Sequence, residues 1–213
     1  MVKSQPDDRY EAEFWKKGKL VAGIDEAGRG PLAGPVVAAS VILPLNFRTE
    51  LGINDSKKLT SKVRNDFFEY IKNVAVSWGI GIVDNNKIDE INILQATQLA
   101  MKLAVENLTV KPDYLLIDGN YFKEFGIPYK TIIKGDAISV SISAASILAK
   151  VIRDRIMEIS EAQKYPQYYF EKHKGYGTKL HYECIDKFGI CEIHRRSFLK
   201  NYIESDLKLF DKQ

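Results

Sequence analysis

Four acidic side chains stand where a chain would put them to share a cation. Asp25 and Glu26 end the apolar run Leu20-Val21-Ala22-Gly23-Ile24, Asp118 ends Tyr114-Leu115-Leu116-Ile117, and Asp136 follows Pro128 to Ile133 across Lys134-Gly135. If those runs are neighbouring parallel strands, their carboxyl ends form one rim, which is where ligands bind in open α/β sheets. Carboxylates so close repel one another and take up protons unless a cation neutralises them. Oxygen-only donors favour Mg²⁺ or Mn²⁺ over zinc. Two such ions roughly 3.5–4 Å apart can hold the attacking water and the leaving oxygen of a phosphodiester, and phosphoryl transfer asks for little beyond alignment and charge neutralisation. The plainer reading is that each Asp caps a turn or a helix. That reading competes evenly for any one acid but weakens for the set, since each follows an apolar run and adjoins a glycine-containing turn.

The elements that must position these acids follow from periodicity. Leu20 to Asp25 and Val36 to Leu43 read as two strands, joined through Gly28-Arg29-Gly30-Pro31 and Gly34-Pro35, and their short spacing predicts a hairpin. Ser56 to Asn73 repeats apolar residues at helical spacing, Val74 to Val83 reads as a third strand, and Ile88 to Asn107 as a long helix. Tyr114 to Asp118 and Pro128 to Ile133 complete five strands. Ser139 to Ser160 predicts a helix rich in small residues, able to lie close on a sheet, and from about Tyr165 the chain is helical and loop-rich. This is an α/β pattern with a mixed sheet. We expect a lead-in over 1–19, a catalytic core over 20–160 and a C-terminal helical region over 161–213 packed on that core.

Composition sets outer limits. The 213 residues, 45% hydrophobic and 28% charged, suit one sizeable folded domain rather than disorder. A net charge of +3 leaves room for an acidic pocket beside a basic face without requiring either. No stretch approaches the roughly 18 apolar residues of a membrane span, the acidic N-terminus does not resemble a secretory signal, and two cysteines fit reduced thiols. The expectation is a cytoplasmic protein.

Further residues suggest how a site would choose its ligand. Glycines 28 and 30 let backbone approach a sugar closely, and a ribose differs from a deoxyribose by a 2′-OH that both donates and accepts. The alternative is an ordinary turn with Arg29 facing solvent. Tyr176, between Gly175 and Gly177, can present its ring for stacking, or can pack under the C-terminal helices. Lys57, Lys150, and Arg195 or Arg196 are candidates for phosphate contacts, which position a duplex without reading its sequence; any one of them can equally be a solvated charge. His181-x2-Cys184 with Cys191-x2-His194 has zinc-like spacing, weighed against buried, hydrogen-bonded side chains.

Several segments together resemble the bacterial ribonuclease HII family: GIDEAGRGPLAGPVVAASVILP at 23–44, DSKKL at 55–59, INILQATQLAM at 91–101, LLIDGN at 115–120, KGDAISVSISAASILAKVIRDR at 134–155, KGYGT at 174–178 and HRRSF at 194–198. They occur in the family's order. The resemblance implies a ribonuclease H-like fold, a five-stranded mixed sheet flanked by helices with a C-terminal helical part. It implies Asp25, Glu26, Asp118 and Asp136 as ligands of Mn²⁺ or Mg²⁺, two ions acting together. Gly28, Arg29 and Gly30 would contact the ribose, and Tyr176 the junction between a ribonucleotide and the next deoxyribonucleotide. Asp136, where the related HIII branch typically has Glu, and the short N-terminus favour HII. The implied activity is endonucleolytic hydrolysis of the RNA strand of RNA–DNA hybrids and incision 5′ to ribonucleotides embedded in duplex DNA, leaving 3′-OH and 5′-phosphate, by a monomer without an obligate protein partner. Two rivals are a hybrid-binding module that does not cut and a different metal-dependent phosphotransferase on the same fold.

Overall fold

The computed structural model describes residues 6–48, 60–124, 126–200 and 202. Five strands form one sheet in the order β3-β2-β1-β4-β5: β1 Val21–Ala27, β2 Val36–Ile42, β3 Ser77–Val83, β4 Tyr114–Asp118 and β5 Tyr129–Ile132. β1 and β2 are the expected antiparallel hairpin, with Asp25 opposite Ala39. β1, β4 and β5 run parallel, so the sheet is mixed.

Helices cover both faces. Among the described residues, α1 is Ala12–Trp15, α2 Ser61–Val74, α3 Asn85–Glu106 and α4 Val140–Arg155. α3 packs Ala96, Ala100 and Ala104 on one face of the sheet against Ala22, Ile24, Val36 and Ala38. α4, with α1 and α2, packs Ala144, Ala145 and Leu148 on the other, against Ala39 and Val41. Alternate residues of each strand thus serve opposite cores, which is the period-two logic of a sheet buried on both sides. Small residues set the spacing. A Cβ at Gly23 would stand 2.1 Å from the Ser141 backbone, so α4 can cross β1 only because that position is glycine.

The element boundaries shift for local reasons. α3 starts before Ile88 because Asp84 accepts a hydrogen bond from the Lys87 N–H at 2.8 Å, an N-cap signal upstream of the apolar pattern. The third strand starts at Ser77 rather than Val74, since the Ala75 N–H still closes α2 on the Ile71 carbonyl. Thr60 caps α2, and Ser56–Leu59 of the expected helix lie outside the described residues. The small-residue helix is regular only to Arg155 and continues as a π-helical turn, Ile156–Glu161. Short helices follow, Lys179–Phe188 among them, around a separate cluster of Leu32, Met157, Tyr168, Phe170 and Ile185.

Candidate active site

The parallel register brings two of the acids together. Ile24 stands opposite Ile117, so the next residue on each strand sets Asp25 beside Asp118. Asp118 in turn stands opposite Ile132, and its Oδ1 accepts the Gly135 N–H at 2.6 Å, which ties it to the 3-10 turn Gly135–Ala137 that carries Asp136. Asp25 is buried, as is Asp136; Glu26 and Asp118 are half-buried. Burial, and then the charges of Glu26 and Asp118, push the Asp25 carboxyl well above the usual carboxylate range. Ser146 on α4 and the Glu26 N–H, 2.7 Å from Oδ1, oppose that shift by hydrogen bonding the carboxylate.

Such a group fits a hard divalent cation in its chemistry: oxygen donors, desolvated, repelling one another. Among the described residues, however, no three acidic, histidine or cysteine side chains converge into a ready-made cage. The Glu26 Oε1 is 3.2 Å from the Arg29 guanidinium, an ion pair across the glycine loop.

Beside these acids lies a cleft of about 400 Å³ lined by Glu26, Ala27, Gly28, Arg29, Arg64, Ser146, Lys150 and Tyr176. Five of the expected site residues therefore meet in one place. Tyr176 is 40% exposed, with its ring 5.5 Å from both the Lys150 ammonium and the Arg153 guanidinium. It is presented rather than packed away. Lys150 pairs with Asp154 at 2.7 Å, and Arg64 stands 3.7 Å from the same carboxylate. Arg64 and Ser146 were not foreseen; neither has a local motif, and only the packing of α2 on α4 and of α4 on β1 brings them in. Lys57 lies outside the described residues. Arg196 is exposed and does not line the cleft, and its N–H donates to Asp89 at 2.8 Å.

The model of the family "Ribonuclease HII" matches residues 22–201. The chain belongs to the ribonuclease HII family. It is a ribonuclease H, a hydrolase of a family that acts on RNA–DNA hybrids with divalent metal. The ribonuclease HII of Acetivibrio thermocellus is 60% identical over 91% of this chain and 75% of its own length, and that of Clostridioides difficile 55% over 91% and 76%. The ribonuclease H2 crystal structure from Pyrococcus horikoshii superposes with a TM-score of 0.67 at 30% identity, covering 84% of this chain and 93% of that one. The ribonuclease HII of Archaeoglobus fulgidus, solved in complex with PCNA, gives 0.69 at 26%, covering 83% and 93%. The fold expected of this family, with its helical C-terminal part, is the one observed. No described helix is long and apolar enough to cross a membrane.

Two buried arginines brace the glycine loop of this ribonuclease HII. Arg195 is fully buried and donates to the carbonyls of Gly28 (2.6 Å), Arg29 (3.0 Å) and Gly34 (2.9 Å). It is therefore a brace and not a phosphate contact, correcting one of the two sequence expectations for this Arg pair. Arg153, also fully buried, donates to the carbonyls of Pro35, Ala33 and Lys174, joining the glycine loop to the Tyr176 loop. Gly28 has φ +97°, and a Cβ there would stand 2.1 Å from the Arg153 Nε. Gly30 has open space at that point, so its glycine answers no steric need of the fold.

The zinc-like spacing resolves differently. His181 and His194 meet each other, Nε2 to Nε2 at 3.0 Å, and the His194 Nδ1 meets the Cys191 N–H at 2.9 Å. Cys184 is buried and Cys191 half-buried, both free thiols. Burial, and then the charge of His173, with that of His194 adding to it at His181, hold His181 and His194 down at about 4.

Proposed function

We propose that this ribonuclease HII is an endonuclease that cuts the RNA strand of hybrids and incises on the 5′ side of single ribonucleotides embedded in duplex DNA, leaving 3′-OH and 5′-phosphate. Asp25, Glu26, Asp118 and Asp136 would hold two divalent ions, Mn²⁺ or Mg²⁺. When bound, such ions supply neutralisation of the phosphate and activation of the attacking water. The observation that carries this reading is the buried Asp25, desolvated beside Asp118 and beside Glu26, which lines a cleft with basic walls.

The chain's own residues then divide the remaining work. Arg195 engages the carbonyls of Gly28 and Arg29 from behind, which directs the N–H side of the Gly28-Arg29-Gly30 loop to the ribose and its 2′-OH. Tyr176 stacks on the sugar that follows the ribonucleotide. Lys150 and Arg64 on one wall, together with Lys57 and Arg196, hold phosphates and fix the register of the duplex. As Arg29 moves onto a phosphate it releases Glu26, so substrate binding and completion of the acidic site are coupled. Residues 20–160 act as the catalytic core, 161–213 as the part that carries Tyr176, and the enzyme works as a monomer in the cytoplasm with no obligate protein partner.

The test is a labelled duplex with one internal ribonucleotide, incubated with Mg²⁺ or Mn²⁺ and then with EDTA. One cut 5′ to the ribonucleotide, absent with EDTA, is expected. Asp136→Asn should bind the duplex and fail to cut it; cutting at the native rate would remove Asp136 from the site.

A further inference from the structure

All three histidines of this sequence, 173, 181 and 194, lie in one buried cluster directly beneath the loop that carries Tyr176. The rings of His173 and His181 stack at 4.3 Å, and the edge of Phe170 closes on both. The hydrogen bonds fix which nitrogen of each ring bears the proton. The His181 Nδ1 is 3.0 Å from the Tyr176 carbonyl, an acceptor only, so Nδ1 donates and Nε2 of the neutral ring accepts. Nε2 faces the His194 Nε2 at 3.0 Å, so His194 donates there. The His194 Nδ1 is then an acceptor, and it receives the Cys191 N–H at 2.9 Å. On His173, Nδ1 receives the Gly175 N–H at 3.2 Å and Nε2 donates to the Tyr168 carbonyl at 2.8 Å. Each ring is neutral with one tautomer, and a second proton on any of them would set donor against donor.

The chain of bonds ends on the specificity loop. It holds the Tyr176 carbonyl, and His173, stacked on His181, separately receives the Gly175 N–H one residue earlier, while the Tyr176 ring stays exposed at the cleft. The loop needs this hold. Lys174 and Gly175 both have positive φ, of 52° and 79°, a backbone state that a non-glycine residue adopts only when its surroundings impose it. We infer that His181 and His194 are positioning residues for ribonucleotide recognition: a tautomer-locked relay from Cys191 through both imidazoles sets the height and angle at which Tyr176 meets the sugar. The inference rests on Tyr176 being the residue that reads the junction.

The test has two arms. Nitrogen-15 NMR of the unaltered full chain at neutral pH should show three neutral imidazoles, one protonated at Nδ1 and two at Nε2; three rings protonated at Nε2, or any charged ring, overturns the relay. In kinetics on a duplex with a single ribonucleotide, His181→Phe keeps the ring packing but removes the donor to the Tyr176 carbonyl. It should lower kcat/KM by about tenfold to a hundredfold. In a Tyr176→Ala background the same change should cost almost nothing, because the residue it positions is gone. His194→Gln, which keeps a donor and an acceptor, should recover most of the activity that His194→Phe loses and serves if His181→Phe does not fold. An equal loss in both backgrounds, or no loss in a folded His181→Phe, refutes the positioning role. Unaltered kinetics for Tyr176→Ala alone refutes instead the reading of Tyr176 on which it rests.

Discussion

Acid should weaken this fold through its histidines, and the size of the effect follows from two numbers. His181 and His194 titrate near 6.5 in an unfolded chain and at about 4 in the fold, mainly because burial disfavours the charged ring. Between those values the unfolded chain binds protons that the folded chain does not, so stability rises with pH across the window and falls as pH drops from 6.5 towards 4. At pH 5 an unfolded imidazole lies 1.5 units below its own pKa, and at about 1.36 kcal/mol per unit each ring costs about 2 kcal/mol. Two rings together remove about 4 kcal/mol, a large share of the 5–15 kcal/mol by which domains are stable. His173 is lowered too, first by burial, and adds in the same sense. Two carboxyls work oppositely: Glu11 and Asp25 are both raised, first by burial, so the fold keeps their protons to higher pH. The measurement is therefore a pair of urea melts at pH 7 and pH 5 on Glu11→Gln/Asp25→Asn, which lacks both carboxyls. It should lose about 4 kcal/mol and take up about two protons on unfolding near pH 5. An unchanged midpoint with no proton uptake would show that these rings are not held neutral by the fold.

Gly28→Ala should cost about 3 kcal/mol or more, since the backbone there is left-handed and the new Cβ meets the Arg153 guanidinium, loosening its bonds to three carbonyls; thermal melts measure it, and a wild-type melting temperature would contradict the packing described. Asp25→Asn should stabilise the metal-free protein above the usual carboxylate range, where ionising the buried Asp25 opposes folding, while abolishing cleavage; a lower melting temperature without metal would be the wrong sign. Mn²⁺ at a hundred times its Kd should add about 2.7 kcal/mol to the wild type and far less to Asp25→Asn, a comparison made by melts with and without EDTA. Arg64→Ala should lower kcat/KM by about tenfold, mostly through KM, because it takes one cation from the cleft wall and leaves the acids alone; an effect confined to kcat would place Arg64 in a different role.

What could be read from the chain was whatever local chemistry dictates. An apolar run ending in an acid is a buried strand with a carboxylate at its rim, and Asp25 and Asp118 stand side by side as that pattern requires. The small residues of α4 announce close packing, and Gly23 shows where it occurs. The boundaries that moved did so at caps, as Asp84 extends α3 upstream of its first core residue. The residues that sequence could not assign act through distant backbone. Arg153 and Arg195 look like any surface cations in sequence, and only the fold turns them inward onto carbonyls more than 100 positions away. The four-residue zinc pattern misleads for a related reason: spacing records that two histidines can meet, and their hydrogen bond to each other is as good a reason to meet as a metal is.

The pairing of β1 with β4 has a consequence for biosynthesis. The first three strands are consecutive antiparallel neighbours and can zip together as soon as they leave the ribosome, yet that meander carries only Asp25 and Glu26. Asp118 arrives 93 positions after Asp25 (118 − 25) and joins only when β4 docks beside β1. The Tyr176 loop comes later still. A chain made only as far as β3 therefore has a half sheet that lacks Asp118, Asp136 and the Tyr176 loop.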